Sequence, residues 1–253
     1  AAALARAMPV IVLGIYFSPA IVGFFAMANR LVAAPMQLGI TSITRVFFER
    51  ANRAKLEGNL ASMTAEVYRR LCIILMTPLA LLAIAAPELI TILLGAQWEE
   101  SGHYLRWLCL WFFFVSTASP LHRLFAVLER QDELAIINGV LFIVSTGALI
   151  AGGMLENART TLALFAVASS VVWFAQGARV LHIAGVNTSK LIGILSAETL
   201  RAAPFVAVLL AAQLWLDDAI AVTACLLIVG ASFAIIRLRR IFSLAPGSLS
   251  ANG

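Results

Sequence analysis

The stretch PVIVLGIYFSPAIVGFFAMANRLVAAPMQLGI, residues 9–40, decides the fold. Its two halves are almost wholly apolar and meet at FSP, residues 17–19. A helix rises about 1.5 Å per residue, so about 20 apolar residues cross a bilayer core of about 30 Å. Ser-Pro marks a turn between two such helices. The stretch therefore predicts an antiparallel pair of membrane helices, over 2–17 and 19–48. It also poses a problem. Arg30 stands 11 residues past Pro19, which is about 16 Å along the helix axis. A guanidinium near mid-bilayer costs roughly 2.5–3.5 kcal/mol on insertion scales.

Working outward, the same pattern repeats. Further apolar spans cover 67–94, 103–128, 134–155, 159–183, 191–216 and 218–238. They are separated by ERANRAKLEGN (49–59), GAQWEESGH (95–103), ERQDE (129–133), LENART (155–160), GVNTSK (185–190) and LDD (216–218). Each break holds charged or turn-forming residues, and most are short, as helix hairpins require. Of the 253 residues, 62% are hydrophobic and 12% are charged. A soluble domain carries about 25% charged residues, and here the mean hydropathy is +0.96. The expected fold is all-α, a polytopic transmembrane bundle of about eight helices. Residues 1–185 are expected to form a main bundle with a truncated first helix. Residues 186–241 should add two helices, and 242–253 a flexible cytoplasmic tail. The chain opens AAALARAMPVIVLG, without an initial Met and without the pattern of a signal peptide, and is read as starting inside a helix, as a fragment would.

Lys and Arg set the orientation. Alternate breaks hold Arg45, Arg50, Arg53, Lys55, Arg69 and Arg70, then Arg123 and Arg130, then Arg179 and Lys190, then Arg237, Arg239 and Arg240. The intervening breaks hold Arg106 and Arg159. The first group is expected to be cytoplasmic, with the C-terminus on that side. The polar stretch 49–66 is expected to be an amphipathic cytoplasmic linker. Net charge is +5, but the basic residues lie in short clusters between spans, so no nucleic-acid partner is expected.

Catalysis is disfavoured. No HExxH, phosphate loop or nucleophile–base pair occurs, and arginine cannot act as a general base at neutral pH. Cys72, Cys109 and Cys225 sit apart in apolar stretches and read as packing residues. No cofactor, metal site or disulfide is expected.

The deep cations are the candidate site. Arg6 lies 12 residues before Ser18, about 18 Å along its helix, and so level with Arg30. Neither apolar span carries an Asp or Glu to neutralise them. Two like charges with no acid nearby point to an anion-binding cavity, with Asn29 and Gln37 as polar neighbours. The competing reading pairs each Arg with a carboxylate or with helix carbonyls elsewhere. In the fourth span Ser116, Thr117, Ser119 and Pro120 are a candidate hinge beside the cavity. Their hydroxyls could equally satisfy the carbonyls that Pro120 frees. His122 is a weak candidate for a protonation role. Glu88 reads as an interfacial group, Glu198 and Arg201 as an i,i+3 pair, and Ser169, Ser170 and Gln176 as helix–helix contacts.

Three segments carry a resemblance. They are YFSPAIVGFFAMANRLVAAPMQL (16–38), ITRVFFERANRAKLEGN (43–59) and ELITILLGAQWEESGHYLRWLCL (88–110). Together they resemble the O-antigen and exopolysaccharide flippases of the multidrug/oligosaccharidyl-lipid/polysaccharide superfamily, through about residue 130. The resemblance implies a bacterial inner-membrane transporter with 12–14 helices in two lobes. The helices here would be the seventh to fourteenth, leaving the N-terminal lobe as a missing partner. Related peptidoglycan-precursor flippases place a cavity cation on the eighth helix, where Arg30 falls. The implied cargo is a polyisoprenyl-diphosphate-linked oligosaccharide, with membrane lipids around it. Its diphosphate suits a guanidinium that stays charged and binds bidentately. The rival readings are a peptidoglycan-precursor flippase, a cation or drug antiporter of the same superfamily, and a non-transporting membrane scaffold.

Overall fold

The computed structural model describes residues 2–215, 221, 223–226 and 228–233, and their side chains except at 2–6, 34–35, 37–50 and 52. The described residues are helical, with no strand among them. The helices are α1 (Ala2–Tyr16), α2 (Pro19–Leu56), α3 (Leu60–Leu94), α4 (Glu99–Ala118), α5 (Arg123–Val127), α6 (Gln131–Gly153), α7 (Ala158–Ile183) and α8 (Thr188–Trp215). Tight 3-10 turns cover Ala96–Trp98 and Ser119–His122, and helix resumes in the segments 223–226 and 228–233.

Five segments are long and apolar enough to cross a membrane: Leu60–Leu94, Ala96–Val127, Gln131–Gly153, Ala158–Ile183 and Thr188–Trp215. Shorter apolar helical stretches run Ala7–Tyr16, Pro19–Ala33 and Thr223–Phe233. These are the apolar spans of the sequence in order, and the chain is a multi-pass helical membrane protein. Residues 242–253, expected as a tail, lie outside the described residues.

One boundary differs from the sequence reading. The polar run 49–59 was expected to separate the spans, but α2 continues through it to Leu56, and α3 starts at Leu60 rather than 67. Ala, Arg, Glu, Lys and Leu are all good helix formers, so charge alone does not end the helix. Only Gly58, with φ +70, does so. Its N–H donates to the Lys55 carbonyl at 3.4 Å, and the Asn59 N–H donates to the Ala54 carbonyl at 2.9 Å. That pair of bonds is a Schellman cap, which favours glycine at the left-handed position.

The α3–α4 hairpin is the centre of the bundle. α7 packs on α4, α6 on α7, and α8 on α3, while α2 lies across α4 and α3. α1 touches α6 and α2. The core runs through Leu71, Leu75, Leu105, Leu108, Leu121, Leu124, Phe125 and Leu162. A smaller apolar cluster joins Leu81 and Ala85 of α3 to Leu209 of α8 and to Val229.

Two close approaches hold the far end, opposite the basic clusters. A Cβ on Gly102 of α4 would lie 2.4 Å from the Pro87 Cα of α3, and one on Gly152 of α6 would lie 2.5 Å from the Thr161 Cα of α7. Only glycine permits such contact. At the basic end α6 and α7 are not so close. The buried residues of α6 are Ser145, Leu149, Gly152 and Gly153, all in its second half.

Candidate functional site

Arg30 lies on the outward face of α2. Phe25, Ala28 and Val32 of the same helix are buried, and together with the half-buried Met36 they form the face turned to the bundle. That spacing is one helical stripe. Arg30 falls off it, beside exposed Gly23, Ala26 and Leu31. A Cβ on Gly23 would meet nothing within 4 Å, so the surface there is open. Among the described residues no carboxylate forms an ion pair with Arg30, and Asn29 beside it is half-buried. The helix is well built to hold this charge. Pro19 opens it after Ser18 in extended conformation, and a Cβ on Gly14 of α1 would lie 3.9 Å from the Val22 side chain.

Arg6 and Gln37 occupy α1 and α2, and their side chains lie outside the described residues. The fourth-span candidates face the opposite way from Arg30. Ser116 and Thr117 are buried. The Ser116 hydroxyl donates to the Met36 sulfur at 3.8 Å, on the packed face of α2. Thr117 Oγ1 donates to the Phe113 and Phe114 carbonyls at 2.9 and 3.2 Å. Ser119 and Pro120 form the 3-10 turn before α5. The structure thus brings Ser116 and Thr117 together inside the bundle and leaves Arg30 outside it.

His122 lies face to face on Trp173, with centroids 5.1 Å apart and planes 6° apart. Phe125 meets it edge-on at 6.3 Å. Glu198 and Arg201 form the expected pair within α8.

For other polar groups the sequence named the residues but not their partners. Arg106 Nε donates to the Ala83 carbonyl at 3.2 Å, and its Nη2 reaches the Ile84 carbonyl at 3.4 Å. Pro87 lacks the N–H that would otherwise serve Ala83, so a cation on α4 repairs a break in α3. Gln213 of α8 donates to the same Ile84 carbonyl at 2.9 Å and to Glu88 Oε1 at 3.1 Å. Glu88 is therefore a junction between α3 and α8. At the basic end Glu133 of α6 receives Arg130 at 2.7 Å and Arg179 of α7 at 2.9 Å. Lys55 there donates to the Val127 carbonyl at 2.7 Å and ties α2 to α5. At the far end Arg159 of α7 grips Glu100 of α4 with bonds of 2.5 to 3.0 Å. A chain-order reading finds each partner but not the pairing, since Arg179 is 46 residues from Glu133 and Arg159 is 59 from Glu100.

The segment that carries Arg30 has a known likeness. Residues 1–103 match the family described as polysaccharide biosynthesis protein. The match spans α1, α2, α3 and the start of α4, so it includes Arg6, Asn29, Arg30 and Gln37 and ends before Ser116. It agrees with the resemblance drawn from the 16–38 and 43–59 segments. No curated protein and no solved structure matches the chain.

Proposed function

We propose that the protein carries a polyisoprenyl-diphosphate-linked oligosaccharide across a bacterial inner membrane by alternating access, without catalysing a covalent step. The observation that carries this reading is Arg30, a mid-helix cation on an open face with no carboxylate partner among the described residues. Such a charge is expensive in a bilayer unless an anion or water meets it. A diphosphate supplies that anion, and arginine binds it with two parallel hydrogen bonds. The match to a polysaccharide biosynthesis family supports a glycan cargo. The Arg30 face would oppose a second lobe, with the sugar between the lobes and the lipid tail in the bilayer. The thirteen basic residues at alternate breaks support a cytoplasmic basic end. Export then moves two negative charges out of an inside-negative cell, a gain of about 4.6 kcal/mol per 100 mV.

The test is flipping by the full-length natural protein in liposomes, with a short polyisoprenyl-diphosphate oligosaccharide and an imposed potential. Arg30→Gln should slow flipping about tenfold or more, the factor for losing a charge-assisted hydrogen bond. Arg30→Lys should retain part of the rate. Flipping that ignores both Arg30→Gln and the potential would refute the proposal.

A further inference from the structure

The α6–α7 pair closes at one end and opens at the other. Gly152 sits against Thr161 at the far end. At the basic end a groove of about 460 Å³ separates the two helices. That is within the range of about 300–1,000 Å³ typical of small-molecule sites. Its inner reach is hydrocarbon: Ile136, Ile137 and Val140 from α6, and Val171 and Val172 from α7. Ile136, Val140 and Val171 are exposed, so the groove opens sideways to the lipid-facing surface.

Polar groups appear in the groove only toward the basic end, and in a fixed order. Gln176 comes first, bordering the groove and 1% exposed. It sits beside the His122 imidazole. The amide and the imidazole are each other's polar neighbours, and no further partner serves either among the described residues. A buried amide left in this state is costly. Arg179 comes next, three residues further along α7 and so about 4.5 Å nearer the membrane surface. Its Nε and Nη2 hold Glu133 across the mouth at 3.0 and 2.9 Å. Arg130 holds the other oxygen of the same carboxylate at 2.7 Å. Two guanidiniums thus share one carboxylate, and each keeps donors to spare.

Hydrocarbon, then a buried amide, then a cation is the order of acyl chain, ester and phosphate in a phospholipid. We propose that this groove is a resident lipid site. It holds one acyl chain of an anionic phospholipid from the leaflet at the basic end. The phosphate lies on Arg179 and the ester carbonyl on the Gln176 amide. The site goes beyond the transport reading and stands without it, since it is built from α6 and α7 and uses none of the residues around Arg30.

The test uses the full-length natural protein purified in mild detergent, exposed to phosphatidylglycerol or to phosphatidylcholine with the same chains. Native mass spectrometry reads the lipid retained. The protein should retain phosphatidylglycerol over phosphatidylcholine. Arg179→Gln should lower that retention about fivefold, the equilibrium factor of one cation near an anionic lipid surface. Val140→Trp, which fills the groove and leaves the charges, should lower retention of both lipids. Arg70→Gln, a basic-end cation outside the groove, should change neither. Circular dichroism melts of each variant show that it is folded. Equal retention of the two lipids, or unchanged retention in folded Arg179→Gln and Val140→Trp, would overturn the proposal. So would the absence of any retained lipid together with a protein–protein crosslink formed through cysteine at position 140, which would assign the groove to a neighbouring helix.

Discussion

Gly102→Ala adds a single carbon at the tightest point of the α3–α4 hairpin. The new Cβ would lie 2.4 Å from the Pro87 Cα, 2.8 Å from the Ala86 carbonyl oxygen and 2.9 Å from the Pro87 nitrogen. Carbon atoms rest at about 3.5–4.0 Å, so α4 must retreat from α3 by about 1 Å. All three obstructing atoms are backbone, and no side-chain rotation relieves the clash. Overpacking of this kind costs about 1–3 kcal/mol. Alanine's better helix propensity returns about 0.5–1 kcal/mol. The expected net loss against the parent is therefore about 0–2.5 kcal/mol, and about 1–3 kcal/mol against a glycine-to-alanine change that gains propensity without a clash. Gly139→Ala in α6 is the matched control, because a Cβ there meets nothing within 4 Å. That variant should gain about 0.5–1 kcal/mol from propensity alone. Reversible unfolding in mixed micelles, followed by circular dichroism, measures both against the parent. A Gly102→Ala variant within about 0.3 kcal/mol of the Gly139→Ala control, inside the usual scatter of such measurements, would refute the close packing of α3 on α4.

Arg106→Leu should destabilise by about 1–3 kcal/mol, because the Ala83 carbonyl next to Pro87 then lacks a donor. Pro87→Ala restores a backbone N–H there, so the two substitutions should couple in a double-mutant cycle, and strict additivity would count against the repair. Arg159→Ala removes the grip on Glu100 at a half-exposed site and should cost about 0.2–1 kcal/mol. That loss should shrink as salt is raised toward about 1 M, and a salt-independent loss would contradict a surface ion pair. Arg30→Gln should leave unfolding stability nearly unchanged while it impairs flipping. A stability loss of about 3 kcal/mol or more, as when a buried ion pair is broken, would show that Arg30 is paired within the fold.

Much of the fold was legible because membrane spans are local. Hydrocarbon excludes unpaired backbone groups, so each apolar run of sufficient length must be a helix; α6 gives way to α7 within a few residues of LENART, and α7 to α8 within a few residues of GVNTSK. The boundary between α2 and α3 was less legible. Charge in ERANRAKLEGN marked the exit from the bilayer, but the helix continued in water until Gly58 allowed a left-handed turn. The candidate site was legible only in part. A cation at mid-helix announces itself at Arg30. Its partners do not, because whether Ser116 faces Arg30 or Met36 depends on how α4 is rotated against α2.

By itself the sequence determined the helical class, the order of the apolar spans, and the place of Arg30 along its helix. Those follow from composition and from the solvation of groups within a single helix. Only the tertiary structure decided that Arg30 faces outward while Ser116 and Thr117 face in. It also decided that Arg106 serves the carbonyls beside Pro87, and that Arg130 and Arg179 share Glu133 at the mouth of an apolar groove. Each of these depends on helix rotation and crossing, which are fixed by close contacts such as Gly102 on Pro87. The residues in those contacts are far apart in the chain.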